Sequence, residues 1–134
     1  MNEFNITFPG NKRVDVGYKS FTVKTDQNPE NGGEGSAPEP LDLFLSSIGA
    51  CAGIYAKTFC DVRKIPTDRM HLTLEPFLKE KQKLMDRLEM ILYVNPAFPE
   101  KYFRAIANSM NGCSVKAQLH PDIKTNITVI HIKE

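Results

Sequence analysis

The chain has 134 residues, 41% hydrophobic and 25% charged, the proportions of one soluble globular domain. Seventeen basic residues against sixteen acidic leave a formal charge of +1 with no basic stripe, which argues against nucleic acid as the main partner. Three cysteines are too few for a disulfide framework, so they are read as structural thiols, metal ligands or redox groups.

The opening MNEFNITFPGN lacks a basic segment followed by an apolar one, so no secretory signal is read and a cytoplasmic location is expected. Phe4, Ile6 and Phe8 alternate with polar neighbours as a half-buried strand does, and the turn follows at Pro9-Gly10-Asn11. Val14 and Val16 alternate next, residues 17–20 turn, and Phe21 and Val23 complete an antiparallel three-stranded meander. The polar, glycine-rich TDQNPENGGEGSA at 25–37 is a loop and lacks the spacing of a phosphate cradle.

From Pro40 to Arg63 the sequence predicts one long helix, roughly 36 Å at about 1.5 Å per residue. Pro40 and Asp42 suit its first turn, Lys57 and Arg63 its C-terminal half, and Pro66 prevents continuation. No charge lies between Asp42 and Lys57, and apolar residues fall on every face, so burial all round is expected. The uncharged run is shorter than the roughly 18–20 residues of a membrane span and is broken by Ser46, Ser47, Gly49 and Gly53, so no membrane contact is expected. Gly49 and Gly53, four apart, predict a close approach by a second helix of this chain or of a partner.

Met70, Leu72 and Leu74 then alternate in a strand, KEKQK at 79–83 makes a solvated hairpin tip, and Leu88, Met90, Leu92 and Val94 point inward on the return. Pro99 opens a second helix with Tyr102, Phe103, Ile106 and Met110 at helical spacing, and Gly112 closes it. A short turn over 113–119 leads to a last strand containing Ile123, Ile127 and Val129. There is no internal repeat and no second composition regime, which predicts a single α+β domain over 1–134.

The cysteines are the main candidates for chemistry. Cys51 lies mid-helix; Cys60 is about 180° round and about 13 Å further along, so the two cannot bridge within one straight helix and Cys60 is read as structural. Cys113 follows a helix-closing glycine and opens a new turn, where a helix N-terminus favours thiolate. No pair has the C-x-x-C or H-x-x-x-H spacing of a zinc site, and no cofactor is read. His71, His120 and His131 are most simply surface or loop histidines.

Pro40-Leu-Asp-Leu-Phe-Leu-Ser-Ser-Ile-Gly-Ala-Cys51, with Gly112-Cys113-Ser-Val-Lys some sixty residues on, resembles the OsmC/Ohr family of thiol peroxidases. The order of strands, loop, long helix, hairpin, shorter helix and closing strand is similar over nearly the whole chain. The resemblance implies an OsmC-like α+β fold, antiparallel sheets around a long buried central helix in an intertwined homodimer, and reduction of organic hydroperoxides in oxidative-stress defence. It implies that Cys51 attacks the peroxide and becomes a sulfenic acid, that Cys113 condenses with it to a Cys51–Cys113 disulfide, and that a dithiol reductant, a lipoyl-type one among the candidates, resets the pair. It also implies that Arg13, from one chain or its partner, helps hold Cys51 ionised. Where Ohr-type enzymes carry a glutamate after the helix-opening proline this chain has Leu41, with Asp42 and Glu39 as the adjacent carboxylates. That departure leaves open a non-catalytic dimer binding a small apolar ligand in its interface cleft.

Overall fold

The computed structural model describes residues 3–81 and 83–133. The chain divides into two compact units, Met1–Ser46 and Ser47–Glu134.

The first unit carries the predicted meander as β1 (Asn5–Gly10), β2 (Arg13–Tyr18) and β3 (Phe21–Thr25), ordered β1-β2-β3 and antiparallel throughout. Its hairpin loops are the two-residue pairs 11–12 and 19–20, one position beyond the expected first turn, and Asn11 (φ 48°) and Lys19 (φ 52°) adopt the left-handed backbone such tight loops require. Phe4, Ile6, Phe8 and Phe21 are exposed, although Phe4 and Phe21 each pack on Tyr18 with ring centroids 5.1 and 5.5 Å apart.

Asp26 organises the glycine-rich loop. Its carboxylate accepts from Ser36 Oγ (2.5 Å), Ser36 N (3.0 Å) and Gln27 N (2.7 Å), while its own N–H donates to Pro38 O. These bonds, the Ser36 hydroxyl foremost, outweigh burial and hold the carboxyl at about 2 against an ordinary 3.8. Gly33 is fixed beside it for want of room, since a Cβ there would stand 1.9 Å from Gln27 O.

α1 (Pro40–Val62) matches the predicted helix to within a residue. Asp42 accepts from Glu39 N (3.2 Å), and Glu39 in turn accepts from Asn28 Nδ2 (2.5 Å) and Asn31 Nδ2 (3.4 Å). Both carboxylates beside Leu41 are therefore engaged in starting the helix and fastening the loop. Burial all round is not what the chain shows: Ile48, Ala52, Ala56, Phe59 and Cys60 are buried, whereas Leu41, Ile54 and Val62 are 63%, 57% and 73% exposed. Among the described residues no second helix of this chain approaches at the glycines; a Cβ on Gly49 would meet Leu74 at 3.7 Å, and one on Gly53 would meet nothing within 4 Å. At 23 residues, with mean hydropathy 1.4 over its most apolar window, α1 is long and apolar enough to cross a bilayer, contrary to the shorter estimate from its uncharged run. It packs instead as the core helix of the fold, against Leu74 and, through Phe59, against Tyr102 (5.8 Å, edge to face).

In the second unit β4 (His71–Leu78) and β5 (Met85–Val94) form the predicted hairpin, with Leu88, Met90, Leu92 and Val94 at most 2% exposed. Of the expected hairpin tip, Gln82 lies outside the described residues. β6 (Lys124–His131) pairs with β5 in parallel, so this sheet, ordered β4-β5-β6, is mixed rather than antiparallel. The cause is the crossover over residues 95–123, which returns the chain to the same end of the sheet before β6 begins. That crossover carries a 3-10 turn (Glu100–Tyr102) and α2 (Phe103–Asn111), whose Ile106 and Met110, four apart, are fully buried. His131 is not a loose terminal histidine: its Nε2 lies 2.7 Å from Phe98 O and its ring 5.0 Å from Phe103.

Because the folded-state carboxyl of Asp26 lies near 2, its contribution to stability is present above its unfolded value near 3.8 and is lost as pH falls through about 2. Asp26→Asn is accordingly expected to unfold more readily than the parent at about pH 7, with the gap closing at about pH 2 in denaturant titrations. Gly33→Ala should cost about 1–3 kcal/mol at either pH, since its defect is a backbone clash.

Candidate active site

Cys51 lies midway along α1, half-buried, and Cys113 lies just beyond α2, 1% exposed. The crossover brings these two sulfurs together, and both are free thiols.

The turn holding Cys113 is clamped by its own backbone. Gly112 N–H donates to Ser109 O (3.1 Å), Cys113 N–H to Met110 O (3.4 Å) and Ala117 N–H to Cys113 O (3.2 Å), while Lys116 Nζ reaches back to Asn111 Oδ1 (2.9 Å). Gly112 closes α2 as expected but at φ −86°, so no left-handed backbone is involved. The following residues are thereby directed at α1: Ser114 Oγ stands 3.9 Å from Cys51 Sγ, and the Val115 N–H also faces that sulfur.

The two thiols respond oppositely. Burial pushes Cys51 up, but the Val115 N–H, the Cys113 thiol and the Ser114 hydroxyl and N–H together bring it below the usual thiol range. Burial pushes Cys113 up; Lys116 N–H donates to its sulfur at 3.3 Å, but the neighbouring Cys51 raises it further, and the net direction is upward. The expectation that a helix N-terminus would favour the Cys113 thiolate is thus reversed. The turn beyond it, Lys116–Gln118, is only a three-residue 3-10 element, and the Lys116 and Val115 N–H groups at the sulfur do not offset desolvation and the neighbouring Cys51.

Cys60 is fully buried, and that burial pushes its thiol up. The cations of that helix end bear on Cys60: Lys57 pairs with Asp61, and Arg63 stacks on Phe59 at 3.5 Å while donating to Phe59 O. Arg13 is in the first unit, exposed at the start of β2, with Nε donating to Gly10 O (3.4 Å) beside a pocket of about 250 Å³ that also takes in Asp15, Lys24 and Ser36. His71 stacks on Tyr93 (4.5 Å), and His120 Nδ1 accepts from Asp122 N–H (3.1 Å). Sequence reasoning overlooked Ser114 and the Val115 N–H. The one available signal was a hydroxyl directly after a cysteine at the start of a turn.

The sequence profile of the OsmC-like protein family matches residues 33–128, which include all three cysteines. The chain belongs to the OsmC-like family. Among solved structures, a proposed osmotic-stress-induced and detoxification-response protein of Psychrobacter arcticus superposes with TM-score 0.82 at 19% identity, covering 97% of this chain and 96% of that one. An OsmC-like protein of Mycoplasma pneumoniae gives TM-score 0.78 at 13% identity over 99% and 98% of the two chains. An organic hydroperoxide resistance protein OsmC of Legionella pneumophila gives 0.66 at 17% identity over 96% of each. Identities this low carry the fold alone, and it is the OsmC-like fold: two sheets and a long central helix. Among curated proteins there is no match.

The geometry of this OsmC-like chain predicts the order of thiol reactivity. A small alkylating reagent should modify Cys51 first, with a rate that rises at lower pH than for an ordinary thiol, while Cys60 and Cys113 react only on unfolding. Peptide mapping over a pH series checks this, and faster labelling of Cys113 would reverse the assignment.

Proposed function

We propose that the chain, as one OsmC-like domain over 1–134 acting in the cytoplasm, is a thiol peroxidase for organic hydroperoxides. The observation that carries this reading is the opposed pair: a half-buried Cys51 eased toward thiolate beside a buried Cys113 held as thiol. Relatives of the same fold named for organic hydroperoxide resistance support the substrate class.

In the first step the Cys51 thiolate attacks one peroxide oxygen and the O–O bond breaks. The product alcohol leaves, taking a proton, and Cys51 becomes a sulfenic acid. In the second the Cys113 sulfur, having lost its proton, attacks Cys51 Sγ; the S–O bond breaks, water departs and a Cys51–Cys113 disulfide remains. A dithiol reductant, for which a lipoyl-type compound is one candidate, returns both thiols and is itself oxidised to a disulfide.

The assembly we propose is a homodimer. Ile54 and Val62 on α1 and Phe8 on β1 are large apolar residues more than half exposed in a single chain, and a second copy would cover them. In that arrangement Arg13 of one protomer serves the Cys51 thiolate of its partner.

Near-stoichiometric organic hydroperoxide should consume two thiols per chain and link Cys51 to Cys113, leaving Cys60 free. Cys113→Ser should halt at sulfenic acid on Cys51 and over-oxidise with excess peroxide, whereas Cys51→Ser should leave Cys113 largely unreacted; mass mapping that finds Cys51 untouched ends the peroxidase reading. Sedimentation should give a dimer at micromolar concentration that Ile54→Glu with Val62→Glu dissociates. Arg13→Ala should slow peroxide reduction and move Cys51 alkylation to higher pH, and unchanged profiles would remove Arg13 from the site.

A further inference from the structure

Cys51 has little help from its own helix. It stands midway between Pro40 and Val62, where the dipole, felt mainly in the end turns, contributes little, and where the backbone N–H groups are committed to bonds along the helix. A thiolate at this position depends on groups brought from elsewhere in the chain. The turn after α2 brings four: the Val115 N–H, the buried Cys113 thiol, and the Ser114 hydroxyl and N–H.

We propose that Ser114 is a further catalytic residue, its hydroxyl donating a hydrogen bond to the Cys51 sulfur and holding it as the nucleophile. Ser114 Oγ stands 3.9 Å from Cys51 Sγ, the outer reach of an O–H to sulfur bond, and a negatively charged sulfur is the stronger acceptor that draws such a donor in. The placement is not left to a mobile side chain. The bonds from Gly112 N–H to Ser109 O, from Cys113 N–H to Met110 O and from Ala117 N–H to Cys113 O fix the backbone on both sides, leaving Ser114 little freedom beyond rotation of its side chain. Ser114 is also exposed, unlike the buried Cys113, so its hydroxyl is open to solvent. An exposed serine on a turn is ordinarily a solvated one; the contact with the reacting sulfur separates this serine from that case.

The consequence for turnover rests on the peroxidase reading, so the thiol is tested by alkylation and hydroperoxide reduction is measured separately. The rate of Cys51 alkylation is measured over about pH 5–10 by peptide mapping in the full chain, with Ser114→Ala and Ser114→Thr beside the parent and unfolding curves taken on all three. Ser114→Ala is expected to react roughly three- to tenfold more slowly at about pH 6–7 and to converge with the parent at high pH, where every Cys51 is ionised. Ser114→Thr, which keeps the hydroxyl, should follow the parent. Matching profiles for Ser114→Ala and the parent overturn the proposal, as does an equal loss in both variants, which would make the role one of shape. A parent that reduces no hydroperoxide yet shows the Ser114→Ala shift removes the peroxidase reading and leaves this one; the converse pattern does the reverse.

Discussion

The fold depends on burial of one stripe of α1, in which Ile48, Ala52, Ala56 and Phe59 recur at helical spacing with little or no exposure. The two alanines keep the middle of that stripe narrow, while Phe59 anchors its far end on Tyr102 beneath the Arg63 guanidinium. Burying a side chain such as Ile48, Leu88 or Ile106 is worth about 1.5–3 kcal/mol, more than the roughly 0.5–1.5 kcal/mol of an ordinary hydrogen bond. The apolar packing therefore sets where the helix lies, and the polar contacts around Cys51 act on a scaffold already fixed.

On that scaffold two identical functional groups acquire different chemistry. Burial acts on both thiols in the same direction, and the difference comes from the number of donors each sulfur meets. Cys51 receives the Val115 N–H, the Cys113 thiol, and the Ser114 hydroxyl and N–H, whereas Cys113 receives only the Lys116 and Val115 N–H groups and faces a sulfur poised to become negative. Of the two thiols, Cys51 is consequently the one eased toward thiolate and Cys113 the one held as thiol, the order that the proposed peroxidase cycle uses.

The first unit shows the same economy with a carboxylate. Asp26 gathers the N–H groups and hydroxyl of a loop rich in glycine, and Gly33 gives the backbone room to close around it. Glu39 and Asp42, the carboxylates flanking Leu41, are taken up by that loop and by the first turn of α1. The two carboxylates thus join the loop to the start of the helix.

Much of the architecture was legible from periodicity. Alternation located the meander and the β4–β5 hairpin, Pro40 and Pro66 bracketed α1, and Leu88, Met90, Leu92 and Val94 declared the inner face of β5, because a strand's two faces and a helix's ends are local properties of the chain. The paired motifs around Cys51 and Cys113 pointed to the family. What periodicity could not fix was long-range: that β6 joins β5 in parallel, that one chain by itself leaves Ile54 and Val62 uncovered on a helix apolar on every side, and which cysteine is the more acidic. A thiol's acidity is set by the donors that surround it. Those at Cys51 come from residues more than sixty positions away along the sequence, so only the tertiary structure, by bringing the 113–115 turn against α1, decided it.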